Sequence, residues 1–222
     1  MQGALMKTAT LGYLLAGALA YCSTAHASDG AGRGQAIAMQ GDGSGAPCIA
    51  CHGLDGAGND AAGFPRLAGL DTGYLVKQMQ DYRSGARQNA VMAPNVDNLD
   101  DQQMIDVAAW YASQQPTPAS LPEVDTALLE LGKKVASSGD WDNYVVPCET
   151  CHGPGSLGVG SAFPRLAGQH AGYIKQQLHA WKNGTRGNDP DQLMLAIAAR
   201  LSDEQIEAVA AYLARQPQQG DL

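Results

Sequence analysis

The 222 residues carry 22 acidic against 14 basic side chains, a formal charge of −8, with 45% hydrophobic but only 6% aromatic residues. An acidic chain without a basic stripe is not built to hold nucleic acid, and nothing after Asp29 approaches the ~20 apolar residues of a membrane span. Four of the five cysteines stand in two copies of one short pattern, so whatever they do is done twice.

The first element in chain order is a leader. Lys7 is the only charge before Asp29, an apolar run covers Leu11 to Tyr21, and Ala25-His26-Ala27 supplies the small residues of a cleavage site. Residues 1–27 therefore read as a secretory signal. A retained anchor fits less well, because Gly12 and Gly17 interrupt the apolar run, and bulky Tyr21 before Cys22 disfavours a lipoprotein. Without the leader, 13 basic and 22 acidic residues remain, with four cysteines, in a soluble chain exported to the periplasm.

A short opening helix over Gly34–Gln40 comes next, then Pro47-Cys48-Ile49-Ala50-Cys51-His52-Gly53 and a Gly-rich loop containing Phe64-Pro65-Arg66-Leu67-Ala68-Gly69. A middle helix over Tyr74–Tyr82, Gly85, Arg87 and Met92 follow. Met104, Ile105, Val107, Ala108 and Tyr111 then recur at helical spacing after Asp100 and Asp101. Gln115-Pro116-Thr117-Pro118-Ala119-Ser120-Leu121-Pro122 cannot continue a helix and forms a short, stiff connector.

Beyond the connector the same series runs again. Cys148-Glu149-Thr150-Cys151-His152-Gly153 lies 100 residues after its first copy, and Phe163-Pro164-Arg165-Leu166-Ala167-Gly168, Gly172-Tyr173, Gly184 and Arg186 lie 99 after theirs. A three-residue insertion moves the offset to 102 for Met194, Leu201 and the final helix, where Ser202 and Gln205 form a capping box. Helices are also expected over Leu128–Ser137 and Tyr173–Trp181. The repeat divides the chain into a domain at 28–115, a linker at 116–123 and a domain at 124–222, all helical and packed at a fixed separation. Charge is shared evenly, −5 over residues 28–118 and −4 over 119–222.

Four chemistries compete for the cysteines. A thioredoxin-type CxxC belongs before a helix in a βαβ setting, and no strand pattern is present. Zinc wants a second cysteine pair ~15–20 residues on, whereas 96 residues separate Cys51 from Cys148. An iron–sulfur cluster wants more thiolates per domain. The histidine directly after the second cysteine fits covalent c-type haem: two intervening residues let both sulfurs reach one porphyrin edge, and the next residue sets its imidazole beneath the iron. Cys48 and Cys51, then Cys148 and Cys151, would each attach a haem ligated by His52 or His152. Each ~90-residue, Gly-rich domain would also gain a large apolar group for its core.

The repeat also selects the sixth ligand. Met92 and Met194 stand seven residues before Leu99 and Leu201, while Met39, Met79 and Met104 lack counterparts. His170 and His179, which have no histidine counterpart in the first domain, read as surface or hydrogen-bonding groups. A thioether opposite histidine raises the potential, and two strong axial bonds leave no place for substrate.

In order and in duplication these segments resemble the dihaem cytochrome c4 family over essentially the whole mature chain. The resemblance implies two class I cytochrome c folds, all-α and related by a pseudo-twofold axis, each enclosing one of two haem c groups. It further implies delivery of electrons from a quinol-oxidising complex to a terminal oxidase by a two-domain monomer, with peripheral membrane association. It assigns the Pro65 and Pro164 carbonyls to the proximal imidazoles, makes Arg66 and Arg165 either propionate partners or solvated surface groups, and has Tyr74 and Tyr173 either bond propionates or simply pack. The insertion before Met194 leaves the second haem differently exposed or poised. The rival functions are a dihaem peroxidase or sulfur-compound dehydrogenase, and the cytochrome subunit of a periplasmic dehydrogenase.

Overall fold

Ten α-helices form among the described residues of the computed structural model, which are 22–43, 45–115 and 121–217. In order they are α1 (Cys22–Gln40), α2 (Ile49–His52), α3 (Thr72–Ser84), α4 (Met92–Val96), α5 (Asp101–Ala112), α6 (Thr126–Ser137), α7 (Cys148–His152), α8 (Ala171–Lys182), α9 (Leu193–Ala198) and α10 (Asp203–Leu213). The described residues contain no strand, only three isolated bridges that close loops. Residues 1–21 of the expected leader and 116–120 of the connector lie outside the described residues.

The two halves share one plan. Each opening helix crosses the last helix of its own half, α1 on α5 and α6 on α10, while the middle helices α3 and α8 pack against the same partners. Glycine makes the crossings possible. A Cβ on Gly34 would sit 2.1 Å from the Asp106 carbonyl oxygen, and one on Gly132 would sit 2.1 Å from that of Ala208. α1 begins at Cys22, upstream of the expected Gly34 and within the expected leader. Gly30, Gly32 and Gly34 each cost a helix ~1 kcal/mol relative to Ala, but packing rather than propensity supplies most helix stability.

Final helices start where their caps stand. Ser202 and Gln205 exchange both capping bonds, and Asp100 with Gln103 does the same in the first half, a box the sequence reading overlooked. Each half has its own apolar core: Leu70, Leu75, Val107, Ala108 and Tyr111, joined by Met104 and Leu99, in the first; Val135, Val145, Ile174, Ile206, Val209 and Leu213 in the second.

The halves meet across a polar seam. Arg66 N–H donates to Gln169 Oε1 and Gln169 Nε2 to Arg66 O, both at 2.9 Å, and Gly172 N–H donates to Asp60 Oδ1 at 3.0 Å. Deeper in the seam Arg87 and Arg186 share partners from both halves. Arg87 donates to Gln78 (2.8 Å), Gln177 (2.8 Å) and the Tyr173 hydroxyl (2.9 Å), and Arg186 to Gln177 (2.7 Å) and Gln78 (3.2 Å). Gln78 with Gln177 and Arg87 with Arg186 are repeat equivalents, so the seam carries approximate twofold symmetry.

Candidate haem sites

Each CxxCH stretch is a single helical turn entered from a proline and left through a glycine. Gly53 (φ 76°) and Gly153 (φ 78°) adopt a conformation open to glycine but strained for other residues, which turns the chain sharply away after the histidine. The loops fold back beneath the imidazoles. His52 Nδ1 lies 3.0 Å from the Pro65 carbonyl oxygen and His152 Nδ1 lies 2.7 Å from that of Pro164. A carbonyl only accepts, so Nδ1 bears the hydrogen and Nε2 keeps its lone pair for a metal. Phe64 and Tyr111 flank His52, with ring centroids 6.4 and 6.5 Å away, and Phe163 flanks His152 at 6.2 Å.

The electrostatics agree with a ligand and disagree with a redox dithiol. Burial, opposed by the proline carbonyls, lowers the pKa of both imidazoles and favours the neutral form a metal binds. Burial raises the Cys48 thiol and pushes Cys148 up to about 11. A reactive CxxC shows the reverse, a thiol depressed by a nearby cation or helix end. All four cysteines are unbridged and half-buried.

Met92 opens α4 and borders the Tyr82–Val96–Leu99–Met104 cluster; Met194, on α9, borders the second core together with Cys148. Both are half-buried. Neither short helix is evident in the sequence, since five or six residues are too few to show a period. They begin differently. Asn89 Oδ1 accepts the Val91 and Met92 N–H groups, both at 2.9 Å, whereas Asp189 Oδ2 accepts those of Met194 and Leu195 at 2.8 and 3.3 Å. The inserted residues become a 3-10 turn, Pro190–Gln192, and Trp181 Nε1 holds Asp189 at 2.9 Å.

The remaining predicted residues gather at the seam. Arg66 is buried, with Nε and Nη1 making no hydrogen bond within the protein, which suits it to an anion such as a propionate. Burial lowers its pKa, Asp55 opposes that, and nearby Arg165 reinforces it. Tyr173 meets Arg87, while Tyr74 packs half-buried against the first core. His170 is buried, its Nε2 2.8 Å from the Ala57 carbonyl oxygen of the other half. Sequence reasoning gave Arg87 and Arg186 no role although it paired them. Both are buried in the seam, each stacked on an aromatic ring (Tyr82 at 4.7 Å, Trp181 at 3.9 Å). The repeated Gly-x-Arg was the available signal.

A family model described as Cytochrome c matches residues 31–115 and again 130–216. The crystal structure of reduced recombinant cytochrome c4 from Pseudomonas stutzeri superposes with a TM-score of 0.73 at 37% identity, over 84% of this chain and 98% of that one. The chain belongs to the dihaem cytochrome c4 family. The chain is therefore an electron-transfer protein that carries two covalently bound haem c groups. It is also similar to a thiosulfate dehydrogenase electron acceptor from Stutzerimonas stutzeri (strain A1501), 47% identical over 82% of this chain and 85% of the relative. Thiosulfate dehydrogenase (TsdBA) from Marichromatium purpuratum, as isolated, superposes with a TM-score of 0.77 at 40% identity over 84% of this chain, which spans 40% of that longer one. No helix among the described residues of the cytochrome is long and apolar enough to cross a membrane.

Proposed function

We propose that this cytochrome is a periplasmic carrier that takes electrons from a thiosulfate-oxidising dehydrogenase and hands them to the respiratory chain. The 47% identity to a thiosulfate dehydrogenase electron acceptor carries that reading. It favours the dehydrogenase-linked function over the quinol-oxidising donor implied by the family resemblance. Oxidation of a sulfur oxyanion releases electrons in pairs, and two one-electron centres on one molecule can receive both.

In the proposed sites Cys48, Cys51, Cys148 and Cys151 form the thioethers, His52 with Met92 and His152 with Met194 complete the two ligand sets, and Arg66 and Arg165 face the propionates. Bound haem supplies a reversible one-electron iron couple. The protein's own part is to hold two imidazoles in one tautomer through the proline carbonyls, to keep water from the cores, and to fix the spacing between the halves through the arginine–glutamine seam. Export with removal of residues 1–27 completes the assignment.

Stopped-flow mixing with purified thiosulfate dehydrogenase and thiosulfate tests it. Both haems should reduce within the enzyme's turnover time, at a rate that falls with added salt because an acidic carrier is steered to its partner. Failure to reduce, alongside rapid reduction by a quinol-oxidising complex, would return the protein to the family's general route.

A further inference from the structure

Between α6 and Cys148 the second half has ten residues, 138–147, where the first has seven, 41–47. The extra length forms a tight 3-10 turn, Trp141–Asn143, followed by Tyr144. Trp141 is 66% exposed and Tyr144 77%, well above the other exposed large hydrophobic side chains among the described residues. The corresponding first-half loop is Gly41-Asp42-Gly43-Ser44-Gly45-Ala46-Pro47, without an aromatic residue.

The turn is held rigidly. Asp140 and Val145 exchange backbone hydrogen bonds at 2.8 and 2.9 Å, and Val145 is fully buried in the core. Asp140 Oδ2 accepts from Asn143 Nδ2 (2.8 Å) and from Gln205 Nε2 of α10 (2.7 Å), bracing the turn from both sides. Tyr144 sits at φ 57°, a left-handed conformation that aromatic residues seldom adopt. Two large rings pointed at solvent from a strained, braced turn add little to the core that Val145 enters. Such rings do suit an interface, where Trp and Tyr dominate binding energy and a preorganised contact loses little entropy.

Position and charge narrow the partner. Tyr144 is four residues from Cys148, so their Cα atoms are separated by at most ~14 Å of extended chain. Asp142 lies between the two rings, Glu204 adjoins the bracing Gln205, and Glu149 follows Cys148. Lys134 lies near Asp140, while Asp140 and Asp142 stand in the turn itself. We propose that this aromatic turn with its acidic rim is the docking face for a redox protein presenting an apolar patch ringed by Lys and Arg beside its own electron-transfer centre. The second haem is then the port through which that partner exchanges electrons.

The proposal deepens the carrier reading above, and the test separates the two. The full haem-loaded protein is compared with W141A/Y144A, with W141F/Y144F, and with L54A/V91A, which removes exposed apolar residues of the first half. With thiosulfate dehydrogenase as donor, W141A/Y144A should lose tenfold or more in second-order rate, and W141F/Y144F should keep most of it. L54A/V91A should match the wild type, and reduction by ascorbate and both midpoint potentials should be unchanged throughout. An unaltered rate in W141A/Y144A overturns the docking face, as does an equal loss in L54A/V91A. So does a wild-type dimer in sedimentation that W141A/Y144A abolishes, because a second copy would then occupy the turn. If the dehydrogenase fails to reduce even the wild type, the carrier reading falls, and the same variants assayed for electron delivery to respiratory membranes decide the docking face independently.

Discussion

The two halves repeat one set of helices but solve three local problems differently. At the crossing of opening and closing helices, the first half sets a half-exposed Arg33 against buried Asp106 at 2.7 Å, where the second has Leu131 and Ala208 at the repeat-equivalent positions. Before the methionine, the first half places a neutral Asn89 and the second an acidic Asp189. Before the first cysteine, the first half has a Gly-rich loop and the second a braced aromatic turn. The difference teaches that the glycine crossings and proline-held imidazoles admit little variation, whereas the groups around them are free to tune potential and partner.

The largest expected effect strikes what the halves share. M92A and M194A should each lower the potential of one haem by on the order of 100 mV, within the ~0.8 V that axial ligation spans, and open that iron to carbon monoxide. Spectroelectrochemical titration reads both. If either variant titrates like the wild type, that half takes its sixth ligand elsewhere and the symmetry fails.

G34A and G132A come next. Each forces a methyl group into a backbone carbonyl of the crossing helix, so each should cost ~3 kcal/mol in chemical denaturation, at the upper end of overpacking penalties. A large loss in one and none in the other would show that the two crossings are not equally tight.

The methionine segments offer a subtler comparison. D189N removes a negative charge beside the second proposed ligand and should raise that haem's potential by tens of millivolts, the scale of one charge at ~10 Å through an effective dielectric of ~20. N89D should lower the first by a similar amount. Protein-film voltammetry of the pair measures whether this side chain sets the difference between the haems.

The smallest effect depends on pH. The hydrogen bond from Arg33, opposed by burial, holds the Asp106 carboxyl below its ordinary range. Its contribution is therefore present above the unfolded carboxylate pKa and fades as pH falls through the lower folded value. D106N should destabilise the first half at neutral pH by about 1 kcal/mol, with the penalty vanishing in acid. Thermal melts of wild type and variant that stay parallel down to low pH would remove the ion pair from the account.

Much of this was readable before any coordinates. The capping residues Ser202 and Gln205 mark their helix in the sequence because a cap depends only on neighbours three residues apart, and the long periodic helices declare themselves for the same local reason. The α4 and α9 helices did not, being too short for a period. His170 looked like an unmatched histidine until the Ala57 carbonyl, 113 residues away, appeared beside it. Arg87 and Arg186 paired by repeat, but nothing local said that they share two glutamines across the seam.

Sequence alone thus determined the two haems, the duplicated helical domains and the acidic character, since each rests on residue types at fixed short spacing or on composition. Only the tertiary structure decided which arginines are buried between the halves, how closely the glycine crossings approach, and that Trp141 and Tyr144 face solvent on a strained turn. Those properties depend on residues distant in the chain meeting in space, and burial, unlike spacing, is a property of the whole fold.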